Sequence, residues 1–226
     1  MSPVYSAVCF ASRTEPAPVK RVWQLRVGAS HQSALAELLP VLLCGEESAA
    51  LAFARFANDS EFSQHARAEL EHIGNEEQHH ERQLRSLRQA LPPAPVDDEV
   101  RRAARRFFAR VGGCDVGEHF ARIAALDSGV CVLLGALRGR GSPLAADANV
   151  HAMLSQIHRD EARHVMVSRH YARLLLDQRQ AYAVGLEMRA QLAALMALRG
   201  GALEALGVNA DRLLVRLRRV PRVLWS

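Results

Sequence analysis

Lysine is almost missing from this 226-residue chain: Lys20 stands alone among 29 basic residues. The rest are arginines, a skew that points to no specific partner. The net charge of +5 speaks to solubility and weak attraction to polyanions rather than to fold. Cysteine is scarce and scattered. Cys9, Cys44, Cys114 and Cys131 form no C-x-x-C pair, which argues against a disulfide scaffold, a zinc ribbon and a rubredoxin-type iron site. No run approaches ~18 uninterrupted apolar residues, so no membrane span is expected. The N-terminus lacks the basic-then-apolar order of a secretory signal, and a cytoplasmic protein is expected. Convincing period-2 alternation is absent, as is any repeat of solenoid period. What remains is an ordinary globular composition, 49% hydrophobic and 23% charged. A chain of this length buries roughly 70% of its extended-state surface without a staple.

The first 28 residues show no sustained period and carry Pro3, Pro16 and Pro18. With Ser33 as the candidate cap of the first helix, residues 1–32 read as an irregular arm. From Ser33 onward the pattern is helical, with Pro40 predicting a kink or a restart inside the first helix. Asn58-Asp59-Ser60 marks a turn and cap before a second helix running to about Ala90. Leu91-Pro92-Pro93-Ala94-Pro95 stops that helix, and Asp97-Asp98 caps a short one containing Arg101, Arg102, Arg105, Arg106 and Arg110. Its apolar members Val100, Phe107, Phe108 and Val111 give it a packing side, so the arginines read as a solvated face and nucleic acid is not expected. Arg212, Arg216, Arg218, Arg219 and Arg222 are read the same way. Gly112-Gly113 breaks the chain before a third long helix, Val116 to Leu137, and a fourth spans about Ala146 to Asp177. Residues 178–226 read as two further helices split at Gly200-Gly201, the second starting near Asn209. One long connection beside two short ones is the pattern of a four-helix bundle with a single crossover.

Stepping alternately four and three residues traces one seam along each long helix. The first gives Leu35, Leu39, Leu42, Glu46, Ala49, Phe53, Phe56, and the second Ala66, Leu70, Ile73, Glu77, His80, Leu84, Leu87. The third gives Val116, Phe120, Ile123, Asp127, Val130, Leu134, Leu137, and the fourth Val150, Leu154, Ile157, Glu161, His164, Ser168, Tyr171, Leu175. Each seam is apolar except near its middle, where it carries a carboxylate, and two add a histidine one turn later. A carboxylate in a bundle core costs several kcal/mol unless paired or metal-bound. Four at one level cannot all ionise without a compensating cation. Two divalent ions supply that charge, and the i, i+3 spacing of Glu77/His80 and Glu161/His164 lets each pair reach one metal. Register agrees: the turn near residue 144 is 17 residues from both Asp127 and Glu161. The turn near residue 60 is 14 from Glu46 and 17 from Glu77, a mismatch that falls within the margin of element boundaries read from sequence.

Chance pairing of fifteen glutamates and ten histidines in 226 positions yields about 0.7 Glu-x-x-His pairs, and four occur. Glu69/His72 and Glu76/His79 lie on the polar face of the second helix and read as solvated. Glu47 competes with Glu46 by one position. Cys131 reads as a small buried hydrophobe, Tyr171 as core packing with a bonded hydroxyl, and Phe53 and Phe120 as pocket lining.

One carboxylate from each of two helices plus Glu-x-x-His from each of the other two resembles the ferritin-like non-haem di-iron (or di-manganese) carboxylate proteins. Asp160-Glu161-Ala162-Arg163-His164 resembles the D-E-x-R-H run of bacterial di-iron monooxygenases and acyl-carrier-protein desaturases. The resemblance covers residues 33–177. It implies an all-α, ferritin-like four-helix bundle with one long crossover, with residues 178–226 as a helical extension packed on it. It implies that Glu46, Glu77, His80, Asp127, Glu161 and His164 are metal ligands, with Glu77 and Glu161 as bridges. Glu76 and Asp160 are then acceptors for the opposite histidine, with Arg163 balancing their charge. Asp127 stands where the family usually offers Glu, one methylene shorter.

On this resemblance the expected cofactor is two iron ions, manganese being the alternative. The expected activity is activation of O2 or peroxide to hydroxylate, desaturate or N-oxidise a small organic substrate, with an external electron donor. Cavity walls are expected from Leu42, Phe53, Ile73, Phe120, Ile123 and Ile157. The C-terminal helices are expected to cap the pocket or form a homodimer surface. The competing expectation is a ferroxidase for iron storage or detoxification, which the arm, the arginine-rich crossover and the fifty-residue tail all disfavour.

Overall fold

The computed structural model describes residues 23–95, 97–112 and 115–225. The arm with Pro3, Pro16 and Pro18, together with Cys9, Gly113 and Cys114, lies outside the described residues. Among those described, regular structure is entirely helical: α1 (Ala29–Ala57), α2 (Gln64–Gln89), α3 (Asp98–Val111), α4 (Val116–Leu137), α5 (Ala148–Leu175), α6 (Gln178–Ala197), α7 (Gly200–Ala205) and α8 (Ala210–Arg218).

Helix α1 begins four residues before the expected cap. Gly28 is its N-cap, without a side-chain hydrogen bond, and the amide of Gln32 donates to the Gly28 carbonyl at 3.0 Å. Ser33 is therefore interior to the helix. Pro40 neither stops nor restarts α1, which runs unbroken for 29 residues. The missing amide costs one backbone bond, and burial of Leu38, Leu39, Val41 and Leu42 around it holds the segment in place. In the first turn, Asp59 accepts from the amide of Glu61 and Asn58 donates back to the Ala54 carbonyl. The cap of α2 is Ser63, whose hydroxyl accepts from the Ala66 amide at 3.2 Å. Asp97 and Asp115 cap α3 and α4 in the same manner. Asp147 caps α5 with one carboxylate oxygen and takes the Arg26 amide with the other at 2.7 Å, pinning the segment before α1.

Helices α1 and α2 form one hairpin and α4 and α5 another, joined by the crossover that contains α3. The four long helices share an interior: Phe56 of α1 stacks on Phe120 of α4 at 4.1 Å between ring centroids, and α2 meets α5 through polar side chains described below. Helix α4 has the length and apolarity to cross a membrane, but 61% of its apolar window is buried among the other helices.

The chain after residue 177 forms three helices where two were expected. Gly200 and Gly201 open the short α7 instead of separating two helices, and the break falls at Leu198 and Arg199, whose amides bond back to Leu195 and Met196. Gly207 then turns the chain with φ +71°, where a Cβ would lie 2.3 Å from the Gly141 carbonyl oxygen, so only glycine fits. Asn209 caps α8 as expected. Helix α6 lies along α4, and α8 packs on both. A buried arginine joins them: Arg189 of α6 donates to the Ser128 hydroxyl (2.7 Å) and to the carbonyls of Leu217 (2.6 Å) and Arg216 (3.0 Å).

Candidate metal centre

The interior of the four long helices is acidic at mid-height. Glu46 of α1, Glu77 and His80 of α2, Asp127 of α4, and Glu161 and His164 of α5 are each at most 6% exposed. Glu46, Glu77, His80 and Glu161 each bring one ligand atom to within 4.8 Å of the others. The Nδ1 of His80 lies 3.2 Å from Glu46, 3.6 Å from Glu77 and 3.9 Å from Glu161. His164 joins through Glu77, its Nδ1 2.9 Å from Oε1. Asp127 falls outside that four-residue group yet lines the same cavity as Glu46, Glu77 and Glu161. Glu47 is also buried but does not belong to the group.

Each histidine has two different sides. The outward Nε2 of His80 lies 3.1 Å from Asp160 of α5, and that of His164 lies 3.0 Å from Glu76 of α2. Arg163 pairs with Glu76. A carboxylate on Nε2 favours the tautomer with its proton there, leaving the Nδ1 lone pair facing inward. His164 Nδ1, both Glu77 oxygens and Asp127 Oδ2 are buried without a hydrogen bond of acceptable geometry, even though the first two sit at contact distance. Buried acceptors of this kind are costly unless something electropositive satisfies them.

The electrostatics point the same way. Burial, with Glu77 nearby, pushes the carboxyls of Glu46 and Asp127 upward, and burial with its acidic neighbours does the same to Glu161. Burial opposes ionisation of Glu77 too, but His164 and His80 outweigh it and hold its pKa below the usual range. Burial would lower both histidines; instead Glu46 and Glu77 raise His80, and chiefly Glu77 raises His164. Protons thus hold the cluster together in the absence of cations, and divalent ions bound there would displace them. The donor set of carboxylates and imidazoles fits metals such as Fe, Mn and Zn.

The remaining candidates divide cleanly. His72 is exposed, 3.3 Å from Glu76, and His79 is half-buried; neither belongs to the four-residue group. Glu69 accepts the Tyr171 hydroxyl at 2.9 Å, and Tyr171 stacks on Phe120. Burial, then Asp127, pushes the Cys131 thiol up to about 12, so it is no thiolate at neutral pH. Arg101, Arg102, Arg105, Arg106 and Arg110 lie on the exposed face of α3, opposite its buried phenylalanines.

The cavity is not where the seams placed it. Of the six expected wall residues only Leu42 lines it; Phe53, Ile73, Phe120, Ile123 and Ile157 are close-packed core. The opening lies instead between α1 and α4, and its far walls come from Phe108 of α3, Leu192 and Met196 of α6, and Leu217 of α8. A seam marks the inward stripe of each helix but not which gap between helices stays open. The apolar stripes of α3, α6 and α8 carried the signal for those walls. No known protein family, curated protein or solved structure matches this chain.

Proposed function

We propose that this chain is a ferritin-like, non-haem di-iron (or di-manganese) oxidoreductase that uses O2 or peroxide to oxidise a small organic substrate. The observation that carries the reading is the cluster of four buried carboxylates and two inward-facing imidazoles, one set from each long helix. Glu46, Glu77, His80, Asp127, Glu161 and His164 would hold the metals. When bound, a metal pair supplies the electrons that dioxygen chemistry requires. Asp160 and Glu76 orient the two imidazoles with the Nε2 proton held outward, so that Nδ1 is the nitrogen each would offer a metal, and Arg163 offsets the added negative charge. The apolar walls keep bulk water from the reacting atoms. Electrons enter from an external donor, since the chain offers no cysteine pair for a second redox centre. A ferroxidase serving iron storage is disfavoured, because α3, α6 and α8 wall the cavity, structure that a storage shell has no use for.

Iron titration tests this. The purified chain should take up about two Fe(II) and develop a metal-dependent absorption on exposure to air. Glu77→Ala or Glu161→Ala should abolish both, whereas His72→Ala and His79→Ala should leave them nearly intact. Equal loss from the two sets would overturn the assignment. A monomer or dimer in solution agrees with the oxidoreductase, and a closed shell of many subunits would instead support storage.

A further inference from the structure

We propose that the cavity beside the acidic cluster is a binding chamber for a small, uncharged, apolar molecule, and that Phe108, Leu192, Met196 and Leu217 set the size it admits. The fate of that molecule rests on the oxidoreductase reading above; its binding rests on the cavity alone.

One side of the chamber is acidic, formed by Glu46, Glu77, Asp127 and Glu161, and the rest is hydrocarbon. In the metal-free protein an anionic ligand would face four carboxyls, and no cationic side chain among the described residues lines the cavity to receive it. Arg189, buried in α6 three residues before Leu192, is not among the lining residues, and its Nε and both terminal nitrogens already donate to Leu217, Ser128 and Arg216. A neutral apolar molecule meets complementary walls on every side but one.

The volume sets the scale. The cavity holds about 40 Å³, enough for a water or two or a diatomic gas, whereas sites for larger organic ligands run to roughly 300 Å³ and beyond. The limit is built into the fold. Gly129 of α4 lets Leu192 come in so close that a Cβ there would lie 2.5 Å from Leu192 Cδ2. Arg189 ties the carbonyl of Leu217 to α6 and α4, so α8 is held down over the opening. Shortening a roof side chain should therefore widen the range of ligands without touching any candidate metal ligand.

The test uses the full chain with toluene as the uncharged probe and benzoate as its anionic counterpart, read by methyl NMR. It is run on Zn(II)-loaded protein and repeated metal-free, so that a chain binding no metal sinks the oxidoreductase reading while leaving the probe result intact. Leu192→Ala should bind toluene about tenfold or more tighter than wild type, with shifts at the methyls of Leu42, Leu133 and Met196 and none at Leu70 or Leu87. Met196→Ala, a milder truncation, should move the same way if Leu192→Ala fails to fold. Benzoate should bind none of them in the metal-free arm, where the four carboxyls face it unneutralised. Unchanged toluene affinity in the folded variants, shifts centred away from the chamber, or benzoate binding the metal-free protein as tightly as toluene would overturn the proposal.

Discussion

The Nε2 of His80 on α2 sits 3.1 Å from Oδ2 of Asp160 on α5, and the arrangement is mirrored by His164 of α5 and Glu76 of α2 at 3.0 Å. Each carboxylate immediately precedes, in sequence, the glutamate that faces the cluster. One residue of offset turns a helix by about 100°, so adjacent acids serve opposite sides of one imidazole layer. The outer pair reaches across to the other helix while Glu77 and Glu161 point inward.

This layering predicts a separation between folding and metal affinity. Asp160→Asn and Glu76→Gln keep shape and hydrogen-bonding capacity but remove the charge that fixes each imidazole. Metal affinity should fall about 10- to 100-fold for either variant, with thermal stability of the metal-free chain nearly unchanged. Glu76→Gln should be the more damaging, because it also leaves Arg163 without its partner. Competition against a chelator gives the affinities; an unchanged affinity in both would remove the outer carboxylates from the site.

Much of this centre was legible from residue order. Four apolar seams each interrupted by one acid, two of them with a histidine three residues later, already singled out Glu46, Glu77, Asp127 and Glu161 from fifteen glutamates and nine aspartates. The bounds of α4 were legible as well, because Gly112-Gly113 breaks the chain before it and Gly139, Gly141 and Pro143 follow it. The start of α1 was not, since a glycine N-cap offers no side-chain signal. That the C-terminal helices cap the pocket was among the expectations, but the side chains that form the roof were not legible. Leu192, Met196 and Leu217 look like any apolar stripe until α6 and α8 are docked, and Arg189 is one arginine among 28 in composition. Long-range packing decides such features, and local periodicity does not encode it.

His119 predicts an acid-sensitive contribution to stability remote from the metal centre. It packs against Phe56 with ring centroids 4.9 Å apart, and burial, aided by the charges of Arg55 and Arg122, lowers its pKa to about 4. An unfolded histidine titrates near 6.5, so above that pH both states are neutral. As pH falls toward 4 the unfolded chain takes up a proton that the folded one refuses, and stability is lost over that window. The full effect is at most about 3 kcal/mol. Against urea, His119→Phe should gain on wild type progressively from pH 7 to pH 4. A difference that stays constant with pH would show that the ring is not held neutral.

Arg189 predicts how firmly the C-terminal helices hold the cavity shut. Arg189 is 1% exposed and has no carboxylate partner among the described residues; burial lowers its pKa to about 10, so it stays charged at neutral pH. A buried cation satisfied only by a hydroxyl and two carbonyls is expensive, and removing it relieves that cost. It also strands the Leu217 carbonyl, among the last four of α8, which lack intrahelical donors. The second effect should win in Arg189→Met, with a loss of about 2 kcal/mol and partial recovery in Arg189→Lys, whose single ammonium reaches fewer acceptors. Trp225 supplies a local readout, because its buried indole packs against Gly185 of α6. In a Trp23→Phe background its emission should shift to the red in Arg189→Met before global unfolding begins. Emission that changes only with global unfolding would mean that α8 is held by its apolar face, through Leu213 and Leu217, and that the arginine adds nothing to the closure.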